Sequence, residues 1–217
     1  MKISARTLQI LKTFAGINPN ILINSGNKLR SLNAAKTILA EANVEEEFTV
    51  DFGIYDLNQF LGILNLFDDP DVTFEENGAT IRSGRHEVRY LPADESCLVY
   101  PKKEFNPPAP LAKFTLESSD FNSLIKAAGV LKAPTVTFKG EGGFVQLIAH
   151  DKTNPNTNNF TVELGETDLE FTMNVKTEFI TKLLAEKFEV QVIAADKILF
   201  IGDEKLYMIA ADSDSEI

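Results

Sequence analysis

Two stretches of the chain carry apolar residues at helical spacing, one near the start of each half of the sequence. In residues 4–15 one face holds Leu8, Leu11, Phe14 and Ala15. The opposite face holds Arg6, Gln9, Lys12 and Thr13. In residues 119–131 the apolar face holds Phe121, Leu124, Ile125 and Ala128, which leaves Asn122 and Lys126 outside. A repeat near 3.6 residues predicts an amphipathic helix in each region.

Each half also contains a second apolar stripe of helical period. The first follows Asp56, a favourable N-cap residue, and consists of Leu57, Phe60, Leu61 and Leu64. The second is predicted to be capped at Thr177 and consists of Phe179, Ile180, Leu183 and Leu184. We therefore expect two helices in each half.

The remaining segments alternate apolar and polar residues, which is typical of strands that bury one face. Residues 71–91 alternate around Asn77-Gly78, a strong hairpin signal, and residues 188–211 alternate around Ala195-Asp196. Turn residues also occur at Ser25-Gly26-Asn27 and at 140–143. This pattern predicts antiparallel hairpins after each helix.

The two halves resemble one another and are separated by a proline-rich segment. Residues 47–51 match 170–174 at an offset of 123, and Asp71-Val72 match Glu189-Val190 at an offset of 118. Pro101, Pro107, Pro108 and Pro110 make the intervening segment unsuitable for a helix or strand interior. The prediction is an α+β protein with two similar domains, at 1–100 and 112–217, joined by a linker at 101–111. Each domain is expected to pack two helices on antiparallel sheet.

Charge is unevenly distributed along the chain. The formal net charge is −11, yet residues 1–40 contain six bases and no acid, so residues 41–217 carry −17. A net acidic protein can bind DNA only if its bases gather on one surface. Solvated surface lysines are the alternative reading of the basic stretch.

Little in the sequence points to catalysis or to a bound cofactor. Cys97 is the only cysteine, and the two histidines, His86 and His150, lie far apart, so we expect neither a disulfide nor a metal site. Residues 140–143 lack the spacing of a phosphate-binding loop, and the acids Asp68, Asp69 and Asp71 flank a proline, as in a solvated turn. No apolar run is long enough to cross a membrane. We expect a soluble, cytoplasmic protein that is not an enzyme and has no membrane partner.

Two stretches carry a resemblance to a known family. The run from Ile54 to Leu64 and the ending Ala210-Ala211-Asp212-Ser213 are similar to the DNA sliding clamps of T-even-type tailed bacteriophages. The resemblance implies a DNA-clamp fold and a homotrimeric ring that encircles double-stranded DNA without reading its sequence. It also implies a tethered replicative DNA polymerase and an ATP-driven clamp loader, all in the host cytoplasm.

The resemblance also implies three sets of site residues. Cations expected to face DNA are Lys2, Arg6, Lys12, Lys126, Lys132, Lys176 and Lys182. A pocket for partner peptides is expected near the linker and the carboxy-terminal strand, at Val99, Tyr100, Phe105, Pro107, Ile209 and Ala210. Subunits are expected to meet through edge strands in 85–91 and 158–165, at Arg85, Glu87, Arg89, Leu91, Phe160 and Val162.

Two other functions stay open at this point. A duplicated β-rich structural or assembly protein would also use head-to-tail contacts, but it would not need bases on its helices. A hydrolase with paired carboxylates is the enzymatic alternative. Phe105 and the prolines could also simply hold the linker against a domain.

Overall fold

The computed structural model describes residues 1–154 and 156–217, which form two compact units, Met1–Glu104 and Phe105–Ile217. The predicted linker, residues 101–111, contains neither helix nor strand. Both units follow the same order of elements: a first helix, four strands, a second helix and three strands. Unit 2 adds one strand before its first helix, and in unit 1 a single bridge between Lys2 and Asp71 stands in that place. The shared order agrees with the internal repeat.

Unit 1 contains two helices and seven strands. They are α1 (Ala5–Ile17), β1 (Ile21–Ile23), β2 (Gly26–Leu32), β3 (Ile38–Phe48), β4 (Phe52–Ile54), α2 (Leu57–Leu64), β5 (Asp71–Glu75), β6 (Gly78–Ser83) and β7 (His86–Tyr90). β1 pairs with β4, β2 with β3, and β5, β6 and β7 form a three-stranded antiparallel sheet. α1 packs against α2 and β3.

The helices of unit 1 begin where capping chemistry predicts. Ser4 Oγ accepts from Thr7 N at 3.2 Å, and Asp56 Oδ1 accepts from Gln59 N at 2.9 Å. The buried face of α1 differs from the predicted one, since it consists of Thr7, Ile10, Leu11, Phe14 and Ile17. Leu8 and Ala15 are only half-buried. The buried face includes Thr7 because the Thr7 hydroxyl donates a hydrogen bond to the buried Glu46 carboxylate.

An aromatic cluster centred on Phe74 fills the core of unit 1. Its ring centroid lies 5.4 Å from Phe48, 5.2 Å from Phe52 and 6.2 Å from Phe60. Phe52 and Phe60 come from β4 and α2, so the cluster ties the helix layer to the β5 sheet. Edge-to-face pairs of this kind add ~1 kcal/mol each beyond the area they bury.

Unit 2 contains two helices and eight strands. They are β8 (Ala112–Leu116), α3 (Ser118–Leu131), β9 (Thr135–Glu141), β10 (Phe144–His150), β11 (Phe160–Glu166), β12 (Phe171–Lys176), α4 (Thr177–Ile180), β13 (Phe188–Ala194), β14 (Lys197–Ile201) and β15 (Lys205–Ala210). One antiparallel sheet has the order β11-β10-β9-β12, and β15, β14, β13 and β8 form a second. Phe138 joins the two sheets, 6.0 Å from Phe114 and 5.7 Å from Phe200.

The fourth helix is much shorter than its sequence predicts. α4 ends at Ile180, and its N-cap position is Lys176 instead of Thr177. Lys182 N then donates to Phe179 O and Leu183 N to Ile180 O, which are the tighter bonds of a final turn. The apolar stripe only partly fits this geometry, because Ile180 and Leu183 are buried and Phe179 and Leu184 are half-exposed.

Three of the four predicted turns connect paired antiparallel strands. Gly142 and Gly143 connect β9 to β10 with φ of 61° and 90°, values that glycine adopts without strain. Ala195-Asp196 connects β13 to β14. In the β5–β6 hairpin Gly78 already belongs to β6 and pairs with Glu75. Ser25-Gly26-Asn27 lies between β1 and β2, which among the described residues pair with β4 and β3 and not with each other, so the expected hairpin at this turn does not form. Across residues 1–154 and 156–217, no helix is long and apolar enough to cross a membrane.

Candidate nucleic-acid and partner interfaces

The exposed sides of the helices carry a different charge from the rest of the chain. The four helices contain three bases, Arg6, Lys12 and Lys126, and two acids, Asp120 and Glu178. Their net charge is therefore +1, which leaves −12 for the remaining residues of a chain whose total is −11. α2 contributes only neutral exposed residues, Asn58, Gln59 and Gly62. A phosphate backbone would meet least repulsion on these helical surfaces.

The predicted DNA-facing cations fall in different settings. Lys12 and Lys126 are exposed on α1 and α3, and Arg6 is half-exposed on α1. Lys132 is the left-handed C-cap residue of α3. Lys176 precedes α4, with its Nζ 5.6 Å from the centre of the Phe179 ring, and Lys182 is half-exposed just after α4.

Lys2 differs from the other cations because carboxylates already surround it. Its Nζ lies 3.0 Å from Asp69 Oδ2 and 3.5 Å from Asp71 Oδ2. The hydrogen bond to the Asp69 side chain raises the pKa of Lys2, and so do both negative charges. The two acids offset its charge locally, which makes Lys2 a poor site for a phosphate. We therefore remove it from the DNA-facing set.

A buried carboxylate that sequence reasoning missed supports the start of α1. Glu46 accepts hydrogen bonds from Ser4 N and Thr7 Oγ1 and is 8% exposed. Burial alone would raise the pKa of Glu46, but these hydrogen bonds outweigh it and hold the pKa below its ordinary value. Nothing in the local pattern marks Glu46, because 39 residues separate it from Thr7.

Both predicted subunit edges lie at the sides of sheets. Among the described residues, β7 pairs only with β6, and β11 pairs only with β10. Glu87 and Arg89 are exposed in β7, Arg85 lies in the preceding turn and Leu91 follows with 67% exposure. Phe160 and Val162 are half-exposed in β11.

The two edges have opposite charge. The β7 edge carries exposed Arg85 and Arg89 against Glu87 alone, and Glu87 is itself paired with Arg82 of the neighbouring strand β6. The β11 edge carries exposed Glu163 and Glu166 and no base. Beside β7 lies a groove of about 480 Å³ whose lining mixes polar and apolar side chains and includes Tyr55, Gln59, Arg89 and Leu91. Tyr55 is 64% exposed and Leu91 67% exposed, so two large side chains lie open beside β7.

The residues predicted to line a partner pocket differ in their exposure. Val99, Tyr100, Phe105 and Ala210 are half-exposed and Pro107 is exposed. Ile209 is fully buried at 0% exposure, so the expectation that its side chain lines an open pocket is wrong. In β15 its side chain points into the sheet core, as the alternation along a strand requires.

The first residues of the linker are held against unit 1. Asn18 Nδ2 donates to Val99 O at 2.8 Å, and Val99 N donates to Asn20 Oδ1 at 2.9 Å. Arg30 donates to the carbonyls of Pro101 and Lys103. Sequence reasoning missed Asn18 and Arg30, because their partners lie about 70 to 80 positions away.

The described residues offer little for catalysis. None of their His, Cys, Asp and Glu side chains form a group of three or more that could hold a metal ion. His86 is exposed at the β7 edge, and His150 Nε2 lies 2.8 Å from Thr137 Oγ1, where burial lowers the pKa of the imidazole. Asp69 and Asp71 are occupied by Lys2. His150, Asp69 and Asp71 therefore each have a structural partner.

Comparison with known proteins gives a consistent result. Residues 3–99 match the family model described as DNA polymerase processivity factor. The chain is 28% identical to the sliding clamp of Vibrio phage KVP40 over 98% of this chain and 100% of the relative. It is 29% identical to the sliding clamp of Enterobacteria phage T4 over 99% of this chain and 98% of the relative.

A solved structure shares the fold at much lower identity. Proliferating Cellular Nuclear Antigen from Entamoeba histolytica superposes with a TM-score of 0.72 at 14% identity, covering 97% of each chain. The predicted α+β fold of the DNA-clamp type is therefore confirmed.

Proposed function

We propose that this chain is a sliding clamp of the family of DNA polymerase processivity factors, and that it encircles duplex DNA and tethers a polymerase to its template. DNA and a DNA polymerase are the partners that this family implies, and the role is that of a non-catalytic scaffold. The observation that carries the DNA-binding part is the net charge of the helices, +1 in a chain of −11.

The helices supply the surface that faces DNA in this proposal. A clamp must stay on DNA while it slides, so it needs a few phosphate-seeking cations and no contacts that read bases. Lys12 and Lys126 meet that need, because they are exposed and have asparagine, glutamine, serine or glycine as helical neighbours. The acidic remainder of the chain would repel DNA from other surfaces.

Charge reversal on the helices tests the DNA-binding proposal. Lys12→Glu combined with Lys126→Glu should abolish most DNA-dependent stimulation of the polymerase at physiological salt. The control is Lys113→Glu with Lys197→Glu, which changes the net charge equally but lies on strands β8 and β14. Equal loss in both double variants, or no loss in the helix variant, would contradict the proposal. An assembly protein would show no stimulation to begin with.

The ring is proposed to be a homotrimer in which β7 of one copy pairs with β11 of the next. Exposed strand edges can extend a sheet across a subunit boundary. Opposite charges on these two edges favour the head-to-tail pairing, whereas pairing two β7 edges would place Arg85 and Arg89 of one copy against those of another. The same contact would cover Tyr55 and Leu91 beside β7.

Mass in solution and a charge swap test the ring. A species about three times the chain mass of 24.0 kDa is expected. Arg85→Glu with Arg89→Glu should raise the dissociation constant of the trimer by about tenfold or more, since several attractive pairs become repulsive. Adding Glu163→Lys and Glu166→Lys to the same chain should restore it. An unchanged dissociation constant of the trimer in the Arg85→Glu, Arg89→Glu variant would refute this interface.

Partner proteins are proposed to dock through short apolar peptides at the linker. Val99 and Tyr100 offer apolar surface there on the side of unit 1, and both are half-exposed. A closed ring also has to be opened before it can surround DNA, which requires work from outside. An ATP-driven clamp loader is therefore proposed as a further partner.

A further inference from the structure

We propose that Arg30 is a positioning residue for partner docking, because it fixes residues 99–104, a segment that includes the start of the linker, onto unit 1. This inference rests on the proposed function, which places partner peptides at the linker. It assigns Arg30 a role that its position in β2, 69 residues before Val99, gives no hint of.

The guanidinium of Arg30 connects a strand pair to the linker. Arg30 and Glu41 are direct partners in the β2–β3 ladder, and Arg30 Nε donates to Glu41 Oε1 at 2.8 Å. The side chains of Arg30 and Glu41 are only 11% and 13% exposed. With Nε held in this way, Nη1 reaches Pro101 O at 3.4 Å and Nη2 donates to Lys103 O. Nη1 also lies 3.6 Å from Glu104 Oε1.

A second attachment fixes the start of the same segment. Asn18 is 4% exposed, and its Nδ2 donates to Val99 O at 2.8 Å and to Leu32 O at 2.9 Å. Residues 99–104 form no strand, so side chains supply the hydrogen bonds that a sheet would otherwise provide. Arg30 acts on the stretch beyond the reach of Asn18.

The apolar part of this segment is also ordered. Tyr100 donates its hydroxyl hydrogen bond to Glu95, and Lys102 Nζ lies 5.8 Å from the centre of the Tyr100 ring. A partner peptide that docks here meets a surface whose conformation was fixed when the protein folded. Binding to an ordered surface loses less conformational entropy and is therefore tighter. Arginine suits this role because its planar fork makes several bonds in fixed directions, which lysine does not.

Limited proteolysis tests the structural half of the proposal. Trypsin should cut after Lys102 and Lys103 only when the segment opens, and these cuts separate the two units. Arg30→Gln should speed the appearance of the two fragments, identified by mass, about tenfold, since charge-assisted hydrogen bonds to two carbonyls are lost. Lys36→Gln is the control. It also removes one positive charge, from the exposed turn between β2 and β3.

Polymerase stimulation tests the functional half. Primer extension with the polymerase and clamp loader of the same replication system should show a several-fold higher half-maximal clamp concentration for Arg30→Gln. Maximal stimulation should be unchanged, because an opened linker weakens docking without altering DNA binding. Arg30→Lys keeps the positive charge beside Glu41, so its half-maximal clamp concentration should lie between those of wild type and Arg30→Gln. This variant keeps the proposal testable if Arg30→Gln fails to fold.

Each outcome decides the proposal. Faster cleavage of Arg30→Gln together with a higher clamp concentration for half-maximal stimulation supports the proposal. Unchanged cleavage overturns it, and faster cleavage with an unchanged stimulation curve overturns the link to docking. A wild-type chain that fails to stimulate the polymerase refutes the proposed function instead, and the cleavage rates still show whether Arg30 holds the linker.

Discussion

A buried ion pair in unit 2 gives the sharpest stability prediction. Lys205 Nζ lies 2.8 Å from Glu186 Oε2, and the two side chains are 5% and 19% exposed. Glu186 Oε1 is buried and has no hydrogen-bond partner among the described residues. Lys205→Met therefore leaves a carboxylate without a counter-charge on either oxygen. The change should lower the free energy of unfolding by about 3 kcal/mol, the low end for a broken buried pair, because some water reaches Glu186.

Equilibrium unfolding in urea at pH 7 measures this effect, at one protein concentration because association adds to apparent stability. The control is Lys197→Met, whose partner Asp196 and own side chain are exposed, and it should change the free energy by less than about 0.5 kcal/mol. A double variant, Lys205→Met with Glu186→Leu, should recover to within about 1 kcal/mol of wild type, since two apolar side chains replace two desolvated charges. Equal effects of Lys205→Met and Lys197→Met, or a double variant no more stable than Lys205→Met, would refute the reasoning.

Two further predictions concern α1 and the glycines. The pKa of Glu46 is lowered in the folded chain, so its contribution to stability is complete above the ordinary value of 4.5 and is lost as the pH falls below it. Glu46→Gln should therefore flatten the acid side of a plot of thermal midpoint against pH, and an unchanged slope would contradict this. A Cβ at Gly140 would lie 2.3 Å from Leu169 O, whereas one at Gly129 in α3 meets nothing within 4 Å. Gly140→Ala should cost more than ~2 kcal/mol and Gly129→Ala should stabilise the helix by ~0.5–1 kcal/mol in urea unfolding, and the reverse order would refute the packing at β9.

The helices with strong local sequence signals are the ones that the sequence predicts correctly. α1, α2 and α3 have long apolar stripes, and two of them have side-chain caps at Ser4 and Asp56, so they were predicted to within two residues. The predicted length of α4 is wrong, because the apolar residues at helical spacing continue beyond Ile180 although the chain forms a turn there. The internal repeat is predicted correctly, but its offset at the second helix is not. Leu57 N donates to Pro19 O, and Thr177 N makes the equivalent hydrogen bond to Pro134 O. Leu57 and Thr177 are therefore equivalent, at an offset of 120 instead of 123.

The site residues were harder to predict because their partners are distant in sequence. Lys2 looks like a free cation in the sequence, and only the fold brings Asp69 and Asp71 to it. Ile209 looked available near the end of the chain, but strand alternation turns its side chain inward. Arg30 and Glu46 gave no local signal, since each acts through residues at least 39 positions away or across a strand pair. The edge strands, by contrast, were expected from the family resemblance, and both lie at the side of a sheet.

The outer strands β5 and β12 are each bordered by an end of the chain. Lys2 bridges Asp71 in β5, and Glu216 exchanges two backbone hydrogen bonds with Thr172 in β12. The β5-β6-β7 sheet and the β11-β10-β9-β12 sheet can therefore each be extended from one side only. A subunit that associates only through these two edges, which carry opposite charge, can form unbranched filaments or closed rings but no branched network. In the proposed ring, the β7 and β11 edges would both be paired, so neither would be left as a template for strands of other proteins.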